Sequence, residues 1–387
     1  PSRPDLARLY EASPYAAAQL ERHPDWLADL DPAASPDDDY RATYAAENPP
    51  PEDEATLMRQ LRQYKHRRQI RHIHAIVNGH IDEPTFLART SALAETLIAA
   101  AHDWQFAAHC ARYGTPLDSD GNPMPMLILG MGKLGGGELN FSSDIDLIYA
   151  YRANGTTSGG RKPEAHETWY RKLAQRLIHT LDTNTADGNV YRVDMRLRPF
   201  GQTGPLALTC TAMEQYYLIH GRDWERYALM KARPVAGDLE GGRQLLAALR
   251  PFTYRRYLDY AALNALGEMK QSINRQNRDN NHENHIKLGT GGIREAEFTV
   301  QAMQMIYGGQ YPALQTPNYL EALARIGERG IWNPAQTAAL HDAYLTLRRV
   351  ENALQYDHEQ QTHQLPTGNA DRQRLALACR AADAASL

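Results

Sequence analysis

Strand-like patterning is confined to residues 126–209 of this chain, and long stretches of 3.6-residue apolar periodicity lie on both sides of it. That distribution calls for a small mixed sheet flanked by an N-terminal helical region and a C-terminal helical bundle, an α+β architecture. Strand-like runs fall at 126–130, 144–151, 190–198 and 204–209, with a helix at 166–182 between the second and third. Asp187-Gly188 marks the turn into the third strand, and "PFGQTGP" marks a hairpin into the fourth. Helical spacing covers 4–30, 55–77 and 83–112 upstream. Downstream it covers 212–220, 222–232, 241–249, 254–276, 292–307, 317–329, 333–358 and 370 to the end. The acidic, proline-rich "DPAASPDDDYRATYAAENPPPEDEAT" is expected to be an exposed connection. Three domains are expected: a helical region over 1–115, a sheet-bearing domain over 116–240 and a helical bundle over 241–387.

A chain of 387 residues with 42% hydrophobic content can bury a sizeable core. Its net charge of −4 gives no sign of a general nucleic-acid binder. Cys110, Cys210 and Cys379 lie far apart without a C-x-x-C, so neither a zinc site nor a disulfide framework is indicated and a reducing cytoplasm fits. No signal peptide and no run of membrane-spanning length is present, which predicts no membrane partner. A start at Pro1 without methionine and a stop inside "CRAADAASL" read as a piece of a longer protein. The basic stripe "RQYKHRRQIRHIHAI" is expected to be a solvated helix face rather than a phosphate-binding one. His66, His72 and His74 lack carboxylate or cysteine partners at a metal-ligand spacing.

Gly130, Gly132 and Gly135 match G-x-G-x-x-G after the apolar "MLIL". A dinucleotide fold would need a crossover helix and an acidic residue about 20 positions on. The next strand begins too soon, and Ala150 stands where the acid belongs. Lys133 is not followed by Ser or Thr, which excludes a phosphate-binding loop of the Walker type. The chemistry therefore points to "SSDIDLIYAY", where Asp144 and Asp146 project from one strand face about 6.5 Å apart, opposite Ile145, Leu147 and Tyr149. In "YRVDMRLRPFG", alternation puts Arg192, Asp194, Arg196 and Arg198 on one face. A third carboxylate among guanidinium groups, beside a glycine turn, suits magnesium and the phosphate oxygens it bridges. It suits phosphoryl or nucleotidyl transfer.

These features resemble the DNA polymerase β-type nucleotidyltransferase superfamily. "GMGKLGGGELNFSSDIDLI", "YRVDMRLRPFGQTGPL", "GRDWERYALMKARPVAGD" and "IKLGTGGIREAEF" are similar to one family within it, the bifunctional glutamine synthetase adenylyltransferase/adenylyl-removing enzymes, over at least residues 125–360. That resemblance makes 116–240 the nucleotidyltransferase domain. It implies Mg2+ held by Asp144, Asp146 and Asp194, and a phosphate cradle of the Gly132–Gly136 backbone (Gly132, Lys133, Gly135 and Gly136) with Ser142 and Ser143. Arg196 and Arg198 become candidates for the attacking or the AMP phosphate, and Lys133 for a phosphate contact.

Such enzymes carry two tandem copies. "ELNFSSDIDL", "GRDWERYA" and "GGIREAEF" look more like the copy that removes AMP from a glutamine synthetase tyrosine by phosphorolysis, taking up inorganic phosphate and giving ADP. Implied partners are adenylylated glutamine synthetase and the PII signalling protein. The ATP-consuming adenylyltransferase copy and a non-catalytic docking module stay open as alternatives. Trp224, Tyr227, Ala228 and Lys231 share a helix face that suits either an active-site wall or an aromatic core stripe. Arg294 and Glu297, one turn apart after "GTGG", suit an anion site or a simple helix cap.

Overall fold

The computed structural model describes residues 3–30, 39–255, 267–268, 271 and 284–383. The chain opens with α1 (Pro4–Ala12) and α2 (Pro14–Arg22), then α3 (Tyr40–Glu47), α4 (Glu54–Val77) and α5 (Glu83–Tyr113). The middle of the chain runs β1 (Leu127–Gly130), the one-turn α6 (Gly132–Gly135), β2 (Ile145–Tyr151), α7 (His166–Asp182), β3 (Val193–Asp194), β4 (Ala207–Thr209), α8 (Cys210–His220), α9 (Asp223–Leu229) and β5 (Arg233–Gly237). There follow α10 (Leu239–Thr253), α11 (Ile293–Tyr307), α12 (Tyr319–Glu328), α13 (Pro334–His358) and α14 (Asn369–Cys379). The helix expected at 254–276 falls almost wholly outside the described residues. Residues 40–47 of the expected connection form α3, capped by Asp39. No described helix is long and apolar enough to cross a membrane.

The sheet runs β3-β2-β1-β5, with β4 also paired to β2. β1 and β2 are antiparallel, with Gly130 opposite Leu147, so the glycine turn joins adjacent strands and is not a dinucleotide crossover. Ile145, Leu147 and Tyr149 pack with α5 and α7 residues such as Leu97, Trp169 and Leu173. Ile148 and Ala150 pack on the opposite face with Tyr217, Leu245 and Leu249 of α8 and α10. Both faces of the central strands are covered, which is why "LILG" and "LIYAY" are apolar without a break.

Three strand expectations need correction. β3 is two residues long rather than nine, because the Asp194 carboxylate accepts the Arg196 N–H at 2.8 Å and pulls the chain into a turn. "PFGQTGP" makes no hairpin: β3 and β4 both pair in parallel with β2, one beside each end of it. β5 was not expected at all. "RPVAG" contains one β-branched residue, and it is extended because the free edge of β1 supplies its hydrogen bonds, with Pro234 tolerated on an edge strand.

The basic stripe on α4 is buried, which overturns both the solvated and the phosphate-facing readings. Arg62, Lys65, His66, Arg68, His72 and His74 are each at most 6% exposed. Arg62 donates to the carbonyls of Met58 and Gly188 at 2.8 Å and of Thr180 at 3.3 Å, and also to Thr183. Tyr15 donates to His66 Nδ1 at 2.6 Å while His66 Nε2 donates to the Asp187 carbonyl at 3.0 Å. Burial holds these imidazoles neutral, pushing His66 down to about 4 and His72 to about 3. α4 is thus a polar spine on which the N-terminal helices, the 183–189 turn and the C-terminal helices meet.

Arg62→Met keeps the side-chain volume but strips several buried carbonyls of their donor. It should cost about 3–5 kcal/mol in chemical denaturation. Arg59→Met, on the exposed side of the same helix, should stay within about 0.5 kcal/mol.

Candidate active site

Where the row Ala150, Ile148, Asp146 runs out of the core, a cavity of about 550 Å³ opens. Asp146 and Asp194 are register partners on the parallel pair β2 and β3, and Asp144 precedes β2. All three line the cavity, together with Gly132, Lys133, Ser143 and Arg196. Gly132 has φ +54°, and a Cβ there would stand 3.0 Å from Asp146 Oδ2. Glycine is required both by that backbone angle and by the carboxylate beneath it.

Arg192 donates to Asp144 at 2.5 Å, and Arg196 Nε donates to Asp194 at 2.7 Å. Arg196 and its backbone N–H outweigh the burial of Asp194 and hold its pKa below the usual carboxylate range. No such donor reaches the Asp146 carboxylate among the described residues. Burial first, then the charges of Asp194 and Asp144, push Asp146 up to about 6.

Two helices close the other sides. α9 and the turn after it contribute Trp224, Tyr227, Ala228 and Lys231. α11 contributes Arg294, Glu297, Phe298 and Gln301. Both sets follow the spacing i, i+3, i+4, i+7, so each helix turns one whole stripe toward the cavity. Of the two readings of the "WERYALMK" face, the wall is the one observed. Lys287 and Gln361 complete the lining, and neither they nor Phe298 and Gln301 were singled out from sequence. The i+7 extension of the Arg294–Glu297 stripe could have found Gln301.

Charges on this wall are paired through buried partners. Lys133 lies 3.1 Å from Glu351, and burial with nearby Arg348 draws its pKa down to about 8. Lys231 lies 2.7 Å from Glu138. Glu297 Oε1 is buried without a hydrogen-bond partner. Burial alone would raise its pKa, yet Lys133, Lys231 and Arg348 hold it down.

Four expected site residues stand elsewhere. Arg198 is buried behind the turn, donating to the Met195 carbonyl at 2.7 Å and the Gln202 carbonyl at 2.8 Å, because alternation stops with β3 at Asp194. Gly135 and Gly136 spend their N–H groups on the Met131 and Gly132 carbonyls inside α6. Gly135 is a packing glycine: a Cβ there would meet the Lys231 carbonyl at 1.7 Å. Ser142 is buried, its N–H bound to Gln355 at 2.9 Å.

Among the described residues, no three His, Cys, Asp or Glu side chains already form a metal-holding group. The donor chemistry nevertheless fits a hard divalent cation. Asp146 is a carboxylate flanked by two more, and the arginines on Asp144 and Asp194 have side chains 41% and 68% exposed.

Residues 4–248 match the family model of glutamate-ammonia ligase adenylyltransferase. The chain belongs to that family. It is a nucleotidyltransferase of glutamine synthetase regulation, and the match holds the acidic cluster, the glycine turn and α9. Residues 265–386 match the family model of GlnD PII-uridylyltransferase, and this segment supplies α11, Lys287 and Gln361. Both matches contribute residues to the lining of one cavity.

The raised pKa of Asp146 predicts a stability effect whose sign is set by linkage. A folded state that holds the proton more tightly carries no penalty below pH 3.8, a growing one up to about 6, and the full one above. Asp146→Asn should therefore stabilise the metal-free protein by about 1–3 kcal/mol at pH 8, with the gain vanishing near pH 4. Denaturation in a chelator at both pH values measures it.

Proposed function

We propose that this chain removes AMP from the adenylylated tyrosine of glutamine synthetase by phosphorolysis, with Mg2+, releasing ADP and the unmodified enzyme. The observation that carries the reading is the lining of the cavity, where Asp144, Asp146 and Asp194 stand with four cations, Arg196, Lys231, Lys287 and Arg294. A phosphodiester already anionic must be approached by a second anion, inorganic phosphate. That requires cationic groups beyond whatever neutralises the carboxylates.

In this reading Asp146 and Asp194, with Asp144, would hold magnesium. The metal would neutralise phosphoryl oxygens and stabilise charge on the departing tyrosine oxygen. Arg196, exposed on the turn after β3, would receive the incoming phosphate. Lys133, anchored by Glu351, keeps a positive charge at neutral pH beside the glycine turn. An oxygen of inorganic phosphate bonds to the adenylyl phosphorus, the bond from phosphorus to the tyrosine oxygen breaks, and ADP and the free side chain result. The segment similar to PII-uridylyltransferases supports a partnership with the PII signalling protein as well as with glutamine synthetase.

Labelled inorganic phosphate incubated with adenylylated glutamine synthetase, magnesium and this chain should appear as the β-phosphate of ADP. AMP as product would make it a hydrolase. Consumption of ATP with pyrophosphate release would assign the adenylyltransferase reaction. Asp146→Asn should lower turnover by on the order of 10²-fold or more with the fold intact. Arg196→Ala should raise the KM for phosphate about tenfold, a larger change than in the magnesium requirement.

A further inference from the structure

The cavity has an apolar side that the phosphate chemistry does not use. Leu197, Trp224, Tyr227 and Phe298 line it, with the Tyr227 and Phe298 rings 28° apart in plane and 6.1 Å between centroids. A lining of this kind accepts a flat heteroaromatic ring by stacking. Gln301 also lines the cavity, one helical turn beyond Phe298, and is 4% exposed.

The orientation of the Gln301 amide is determined by the end of α9. Lys231 N–H, the regular helical donor for the Tyr227 carbonyl, bonds Ala228 instead, which leaves the Tyr227 oxygen an orphan of the helix terminus. Gln301 Nε2 fills that vacancy at 3.2 Å. A carbonyl oxygen can only accept, so the amide nitrogen is committed and the amide cannot flip without stranding a buried acceptor. What remains to a ligand is Oε1 as acceptor with the second N–H beside it, in an order that the bond to Tyr227 fixes.

We propose that Gln301, with Trp224, Tyr227 and Phe298, is the base subsite of this cavity. It selects a nucleobase that presents an exocyclic amino group, adenine, against hypoxanthine, guanine and uracil, which present a carbonyl oxygen there. The inference rests on the reading above that the cavity holds an adenylyl group, and adds which residues choose the base. Rejection is stronger than preference: a base carbonyl facing Oε1 sets two acceptors against each other, and a buried site tolerates that poorly.

Equilibrium binding of ADP, IDP and UDP to the full chain with magnesium, by calorimetry, tests it. ADP should bind at least about tenfold tighter than IDP or UDP. In Gln301→Met that preference should shrink to within about threefold, whereas Trp224→Ala should weaken ADP and IDP alike by about tenfold, leaving their ratio unchanged. ADP and IDP binding within threefold of each other in the unmutated protein would overturn the proposal, as would an undiminished preference in Gln301→Met. Should that variant not fold, purine riboside 5′-diphosphate, which lacks the amino group, must bind the unmutated protein about tenfold more weakly than ADP. Equal binding refutes the role of Gln301. Selective ADP binding without transfer of labelled phosphate would overturn phosphorolysis and leave the base subsite standing. A chain that binds no nucleotide would overturn both.

Discussion

The site depends on one buried polar clasp. Arg348 of α13, fully buried, donates to the Glu138 carbonyl and the Tyr344 hydroxyl at 2.6 Å, donates to Asn140, and pairs with Glu351 at 3.0 Å. One and two turns on, Asn352 and Gln355 accept the N–H groups of Phe141 and Ser142 at 2.9 Å. A single row of side chains on α13 therefore satisfies three backbone groups of 138–142, the segment that leads directly into Asp144. A guanidinium out of water is tolerable only with this many acceptors, and a loop this buried only with this many donors and acceptors supplied from outside.

The same clasp sets the electrostatics of the cavity. Glu351 holds Lys133 beside the glycine turn and also bonds His363 at 2.9 Å, while Glu138 holds Lys231 and accepts the Tyr319 N–H at 2.5 Å. Lys133 and Lys231 are thus pinned from behind by carboxylates that do not line the cavity. Their reach toward a ligand is fixed, while the side chains of Arg192 and Arg196 are 41% and 68% exposed. Anchored cations on the wall and exposed ones over the carboxylates suit the magnesium and the second anion proposed for this site.

Much of this arrangement was legible in the residues. D-x-D beside a glycine turn, with a third aspartate on a later strand, located the three carboxylates in one cavity, and the spacing of Trp224, Tyr227, Ala228 and Lys231 described a real wall. The arginines were less legible. Arg198 shares its alternation with Asp194 and Arg196, yet the Asp194 carboxylate bends the chain one residue later and sends Arg198 inward. The stripe on α4 misled for a related reason: eight cationic or imidazole side chains on one helix look solvated unless their partners, which lie as far as Glu359 along the chain, are known.

The sequence by itself determined the secondary structure of the long elements, the absence of a dinucleotide crossover and the identity of the acidic cluster. Each follows from contacts within a few residues, where periodicity and turn chemistry decide. Only the tertiary structure decided that β3 stops at Asp194, that "RPVAG" becomes an edge strand, and that the two helical flanks meet on α4. It alone packed α11 against α9 and turned the Gln301 amide by offering it the one carbonyl α9 leaves unpaired. Those outcomes depend on buried donors and acceptors finding partners far away in the chain, and hydrogen-bond satisfaction at that range leaves no local pattern to read.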